Sequence, residues 1–387
     1  MKKKLLIFIF ALAIAAGAFA QQYDPESDFE VKREKDGVVI TGYLGSKKEV
    51  FIPPAIQDLP VTGIGNNAFA GKTGLTRVTI PTGVTVIGEY AFFGCDGLTG
   101  VTIPDSVTTI EGGAFYNCIR LTGVRIPGGV TYIGQFAFLY CAITVITIPD
   151  SVKNIGGGAF GGCTKLGAIN VAAGNTAYAS ENGVLYNKSK TYLHTYPAGK
   201  TGPSTFSIPA TLAEIGPFAF AGCNSIAGVN IPASVKDIGW AAFFNCTRLA
   251  AITVAAGNTA YTAENGVLYN KEKTLLHTYP AGKTNASFTI PGSVSNIENY
   301  AFAYCSRLTS LTIPDSNTFI GGNAFAQCNM FTSITFQGAI AENRISSSAF
   351  PGDLRDKYLA EGEGTYTRRY GTSATWSRVA DTKPGEQ

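Results

Sequence analysis

From Val38 onward, apolar and polar residues follow a pattern that restarts about every 23 residues. In Leu98-Thr99-Gly100-Val101-Thr102-Ile103, and again from Leu308 to Ile313, apolar side chains alternate with polar ones. That period of two predicts a short strand with one buried face. Proline follows at once (Pro81, Pro104, Pro127, Pro149, Pro232, Pro314). It removes a ladder donor and turns the chain out of the sheet. A Val-x-x-Ile-Gly segment then predicts a second inward-facing stretch, with glycine permitting a sharp bend. An Ala-Phe-x-x-Cys segment closes the unit. One such unit cannot bury its apolar face, but a stack of them can. The predicted fold is a solenoid with a parallel strand in each coil, rising about 5 Å per coil, the spacing of paired strands.

The phenylalanine of the Ala-Phe pair fixes the register. It falls at Phe69, Phe92, Phe115, Phe138, Phe160, Phe220, Phe243, Phe302, Phe325 and Phe350. Two units are stretched to about 60 residues, and their extra segments, Val171 to Lys200 and Val254 to Lys283, are nearly identical. They lie 83 residues apart, which indicates duplication of a multi-coil block. Gly183 to Tyr186 and Thr191 to His194 read as two strands around the polar turn Asn187-Lys188-Ser189-Lys190. Gly266 to Tyr269 and Thr274 to His277 repeat them. Each insertion is expected to be a hairpin projecting from, or packed across, one side of the solenoid, as a ligand-contacting protrusion or, more plainly, a spacer.

The ends differ from the repeat. Lys2, Lys3 and Lys4, the apolar run Leu5 to Ala16, and Ala18-Phe19-Ala20 form a secretory signal with cleavage expected after Ala20. No later stretch is long enough for a membrane helix. The expected organisation is a signal at 1–20, an N-terminal cap and first coil at 21–60, and the solenoid at 61–350. Insertions occupy 171–207 and 254–288, and a C-terminal cap and tail occupy 351–387. Val38 to Tyr43 reads as the first strand, Asp353 to Tyr358 as a short helix, and Tyr366, Tyr370 and Trp376 as part of a terminal strand or cap.

Charge narrows the partners. Without the signal, 27 basic residues face 27 acidic ones scattered along the chain. Such a balance gives no footprint for nucleic acid or anionic lipid.

Candidate chemistry is sparse. All eight cysteines (Cys95, Cys118, Cys141, Cys163, Cys223, Cys246, Cys305, Cys328) stand three residues after a repeat phenylalanine. A disulfide framework would not place every cysteine at one coil position, whereas a buried ladder of free thiols would. With no Cys-x-x-Cys pair, a metal site has little support. His194 and His277, the only histidines, occupy equivalent places in the insertions and read as structural or surface residues. No phosphate-cradling loop or nucleophile elbow is present. The sequence therefore reads as a non-enzyme without a cofactor.

What remains is surface. The residues between valine and isoleucine of the strands should face solvent: Thr79, Thr102, Arg125, Thr147, Asn170, Asn230, Thr253, Thr312 and Thr335. This is a ladder of good strand formers or a binding strip, and Arg125 is its only charge. A second stripe is aromatic. Phe93, Tyr116 and Phe244 share one coil position; Tyr90, Phe136, Phe218, Trp240 and Tyr300 precede the Ala-Phe pair, and Tyr140 and Tyr304 follow it. Exposed rings in a row suit protein recognition. Alternation with glycine, as at Tyr90, Gly113 and Phe136, suits rings folded over bare backbone.

The Ile-Pro, Ile-Gly, Ala-Phe and Cys landmarks resemble the BspA-like, treponemal-type leucine-rich repeats over about residues 37 to 350. The resemblance implies an exported surface or secreted adhesin that binds host matrix or plasma proteins, or another bacterium's surface protein. The alternative is a periplasmic or envelope scaffold for a partner of the same cell.

Overall fold

The computed structural model describes residues 23–314 and 318–380. The signal and its cleavage site after Ala20 lie outside the described residues. The chain forms a β-solenoid of about 13 turns with almost no helix, and equivalent strands lie about 23 residues apart.

Each coil has three walls. The leading strand makes the first: Glu49–Phe51, Arg77–Thr79 and Gly100–Thr102 pair in parallel, Val78 opposite Val101. The short Ile-Gly strands make the second, with Ile64, Ile87, Ile110, Ile133 and Ile155 in register. The Ala-Phe turn makes the third and is bonded from coil to coil as well: the N–H groups of Phe69, Phe92, Phe115 and Phe138 donate to the carbonyls of Ala91, Ala114, Ala137 and Ala159 at 2.7–2.8 Å. The Ile-Gly glycines serve differently from the expected bend. A Cβ on Gly134 would lie 2.4 Å from the Gly112 nitrogen, and one on Gly156 2.3 Å from that of Gln135. What they supply is room for the preceding coil's backbone.

The landmark rings stack along the axis. Phe69, Phe92, Phe115, Phe138 and Phe160 succeed one another at centroid distances of 4.9–5.7 Å, nearly parallel. Tyr196, Phe220 and Phe243 continue the column, then Tyr279, Phe302, Phe325 and Phe350. Beside it runs the thiol ladder. All eight cysteines are free and buried. Each thiol donates to the carbonyl of the landmark ring residue one coil back, Cys95 to Phe69 and Cys118 to Phe92 at 3.1 Å. That carbonyl is a buried acceptor needing a partner, which explains why a small apolar residue with a donor recurs there. Burial pushes the Cys95, Cys163 and Cys246 thiols up to about 12, so they lack the thiolate form that reacts. A thiol titration of the unreduced protein should find eight groups after denaturation and almost none before; zero after denaturation would overturn the ladder.

Caps close both ends. The antiparallel strands Phe29–Glu34 and Gly37–Tyr43 cover the first coil, with Phe29 on Tyr43. At the other end Gly364–Thr367 adds antiparallel to Ser333–Phe336, the helix Leu354–Glu361 packs alongside, and Trp376 is fully buried. The Arg368 side chain bonds to the carbonyls of Phe331 and Ser373 and lies over the Trp376 ring.

The two expected strands of each insertion do pair antiparallel around the polar turn, Tyr186 opposite Leu193 and Tyr269 opposite Leu276, but a further strand precedes them. Each insertion is three-stranded: Tyr178–Glu181, Val184–Asn187 and Tyr192–Thr195, repeated as Tyr261–Glu264, Val267–Asn270 and Leu275–Thr278. The first two strands are joined by Asn182-Gly183, both left-handed (φ 51° and 79°), a two-residue hairpin turn. The third strand runs parallel to the next Ile-Gly strand, Leu193 opposite Ile215. The hairpin is therefore a section of the solenoid wall, and Tyr196 and Tyr279 serve as landmark rings of the inserted coils.

A candidate binding cleft on the Ala-Phe wall

Where a hairpin enters, the Ile-Gly ladder is broken and two side chains mend it. The Ile155 N–H donates to the Tyr178 hydroxyl at 2.6 Å, and the Ile155 carbonyl lies 3.0 Å from His194 Nε2. A carbonyl only accepts, so Nε2 carries the proton, and Nδ1 accepts from the Thr195 hydroxyl at 2.9 Å. Tyr261, His277 and Thr278 do the same at Ile238. Burial lowers His194 to about 4, and His277 shifts in the same direction. Both histidines are neutral splices committed to backbone. Buried Asn175 and Asn258, which the sequence reading passed over, anchor the start of each insertion. Asn175 donates to the Pro149 and Val152 carbonyls and accepts from the Ala177 and Tyr178 N–H groups. The duplicated Gly-Asn-Thr-Ala-Tyr segment was the available signal.

The splice has a long-range consequence. The hairpin adds strands to the Ile-Gly wall, yet on the Ala-Phe wall the Phe160 coil meets the Phe220 coil directly: Gly162 N–H donates to the Ala221 carbonyl at 3.0 Å. Tyr196 adds a landmark between them, its N–H on the Ala219 carbonyl, but along the outer edge of the Ala-Phe wall nothing separates the two coils, and the rings on that edge converge. Phe136 and Tyr300, 164 residues apart, both pack on Phe218 and Trp240. Phe244 joins Tyr300 and Tyr304 at 5.1 Å, while Phe93, Tyr116 and Tyr140 form a run at 5.2 and 5.9 Å. Asn117, Ile119, Tyr140, Lys165, Asn245 and Tyr304, from five coils, line one cleft of about 400 Å³.

The structure thus brings together Phe93, Tyr116, Phe136, Tyr140, Trp240, Phe244, Tyr300 and Tyr304. Phe93 is exposed and the other seven are half-buried against one another. Phe218 is their buried hub, with Leu139, Ala221 and Ala241 beneath. The rings do fold over bare backbone: a Cβ on Gly113 would meet the Tyr90 ring at 2.4 Å, and one on Gly162 the Tyr140 ring at 2.3 Å. Arg125 stands apart. It lies on the leading-strand wall in an exposed ion pair with Asp105, and such pairs contribute little. Around it the ladder opens, because residues 124–126 form no strand and Val145–Ile148 pairs only with Ala168–Val171. The threonine and asparagine row otherwise faces outward; Asn230, for example, links the Ser207 and Thr253 side chains.

Backbone conformation marks the cleft further. From Phe69 to Phe325, each Ala-Phe turn has two left-handed positions, two residues before and two after the phenylalanine. Most of these positions hold glycine, asparagine or glutamine, such as Asn67, Gly94, Asn117 and Gln327, and one holds Ala241. Here six are aromatic: Tyr90, Phe136, Tyr140, Phe218, Tyr300 and Tyr304. A bulky residue in that region costs roughly 1 kcal/mol each. Burial, and then neighbouring phenols, raise Tyr116 and Tyr140 above the ordinary tyrosine value, and burial does so for Tyr304. All three remain neutral hydrogen-bond donors.

The model of the BspA type leucine-rich repeat region matches in six copies, over residues 55–181, 199–276 and 277–355. The structure is similar to a leucine-rich cell surface protein of Faecalibacterium prausnitzii (28% identity, 84% of this chain and 96% of that one, TM-score 0.52). It is also similar to a leucine-rich repeat protein of Eubacterium ventriosum (26% identity, 84% and 92%, TM-score 0.53). No curated protein matches the chain. Among the described residues no helix is long and apolar enough to cross a membrane.

Proposed function

The chain belongs to the BspA-type leucine-rich repeat family, and from that premise we propose that it is an exported, surface-displayed binding protein, an adhesin that grips a host or microbial protein in the aromatic cleft. The observation that carries this reading is the set of six aromatics on left-handed backbone within one patch. Folding alone favours glycine or asparagine there, as the other coils have. Strained residues gathered around a concave surface are characteristic of ligand clamps, and half-buried rings held by one another are preorganised contacts. Family membership supports a binding scaffold over an enzyme, and both histidines are engaged in mending the backbone.

Replacing Phe93, Tyr116 and Trp240 together with serine should weaken binding to the cognate matrix or plasma protein about tenfold or more. The melting temperature should change little, since the phenylalanine column is separate. Unchanged affinity would dispose of the cleft. Protease shaving of intact cells decides the compartment: loss of the chain supports surface display, and full protection until the envelope is opened supports the envelope scaffold.

A further inference from the structure

Charges balanced along the sequence are not balanced in space. Arg120, Lys165, Arg248 and Arg307 each stand five residues after a landmark phenylalanine, in the coils of Phe115, Phe160, Phe243 and Phe302 that border the cleft. All four are exposed and none forms an ion pair among the described residues. Lys200 and Lys283 join them: Gly199 and Gly282, which precede these lysines, pack on the backbone of Lys165-Leu166 and Arg248-Leu249. From one to five residues after the phenylalanine, the landmark coils from Phe115 to Phe302 hold no acidic residue. Glu89, Glu111 and Glu298 stand three or four residues before their phenylalanines, on the other side of the aromatic rows. The cleft is therefore polarised, cationic along one edge.

Resting on the binding reading above, we infer that the part of the partner seated in the cleft is an acidic polypeptide segment carrying aromatic or aliphatic side chains. Unpaired cations along one edge call for anionic groups. The apolar surface calls for apolar groups: Ile119, which lines the cleft, is 50% exposed, and Phe93, in the aromatic run beside it, is 39% exposed. Strand addition is blocked, because the wall's N–H groups already bond from coil to coil, Asn117 to Leu139, Tyr140 to Gly161 and Gly222 to Phe244. Recognition falls to side chains.

The test uses the full chain and a random copolymer of glutamate and tyrosine, with polyglutamate and heparin as comparators. The copolymer should bind, weaken as salt rises, and exceed polyglutamate by about tenfold. The variant R120E/K165E/R248E/R307E and the variant Y140S/F244S should each lose about tenfold in copolymer affinity while melting like the parent. Copolymer binding indifferent to the charge reversal overturns the inference. So does heparin binding that survives the aromatic changes while the copolymer fails to bind. A whole protein ligand that needs Phe93, Tyr116 and Trp240 but ignores the charge reversal would sink the acidic segment and leave the binding face standing. A ligand indifferent to both sets would sink both.

Discussion

Phe115→Ala should cost about 3–5 kcal/mol, the range for emptying a fully packed aromatic site. Phe115 is wholly buried, with Phe92 at 5.1 Å and Phe138 at 5.2 Å, at interplanar angles of 1° and 5°. Backbone ladders on the Ile-Gly and Ala-Phe walls hold both neighbouring coils at the spacing of the rings, with the leading-strand ladder added on the Phe92 side, so they cannot close over a void. A solenoid is quasi-one-dimensional: each coil is stabilised chiefly by its two neighbours. The loss therefore falls on the two interfaces of this coil in the N-terminal half of the stack, and unfolding should become less cooperative as the flanking coils uncouple. Phe350→Ala gives the contrast. That ring is 8% exposed and caps the column, stacking in parallel only on Phe325, so a markedly smaller loss is expected. Urea titration followed by circular dichroism measures both. Equal losses, or less than about 1 kcal/mol at Phe115, would show that the column does not hold the stack.

The repeat was legible because its landmarks are local: alternation, proline, and a phenylalanine and cysteine at fixed offsets. Stacking turns each into a continuous row, so reading one coil reads all the regular ones. The insertions were legible only in part. Tyr178-Ala179-Ser180-Glu181 carries little apolar signal, because its tyrosine turns inward to serve Ile155 while the rest of the strand lies nearer the surface. The Asn182-Gly183 turn would have exposed it. Tyr196 and Tyr279 escaped as landmark residues because proline, not Ala-Phe context, flanks them.

The cleft was legible as residues but not as a place. Aromatics at related offsets could be gathered from the sequence, yet their convergence depends on the Phe160 and Phe220 coils meeting along one edge while a hairpin coil separates them elsewhere. That is a difference between two path lengths around the solenoid, which no single coil records. The cationic edge was missed for a simpler reason. A count over the chain averages away what register concentrates, and ranking residues by distance from the landmark phenylalanine would have shown it. Arg125 illustrates the reverse: a charge conspicuous in its row proved to lie on another wall, where the ladder is open.

Acid should loosen the two hairpin coils. In the unfolded chain a histidine takes up its proton near pH 6.5, whereas burial holds folded His194 down to about 4. Above the unfolded value both states are neutral and the splice contributes fully. As pH falls below about 6.5 the unfolded state binds the proton first, so stability declines through this window and is lost on passing the folded value. The difference corresponds to about 3 kcal/mol at His194. His277 shifts in the same direction but should lose less, because Asp237 and Glu298 lie near enough to favour its protonated form. The position of Asp237 is taken by Asn154 in the first copy. Gln replaces the ring with a donor that does not titrate. The urea midpoint of His194→Gln should therefore fall less than the parent's between about pH 7 and about pH 4. His277→Gln should show a smaller difference, and the double variant the flattest profile. Carboxylates titrating at the lower end act on parent and variant alike, so the gap between their slopes isolates the histidine. If His194→Gln keeps the parent's full decline, the neutral splice is not what holds the first hairpin coil in place.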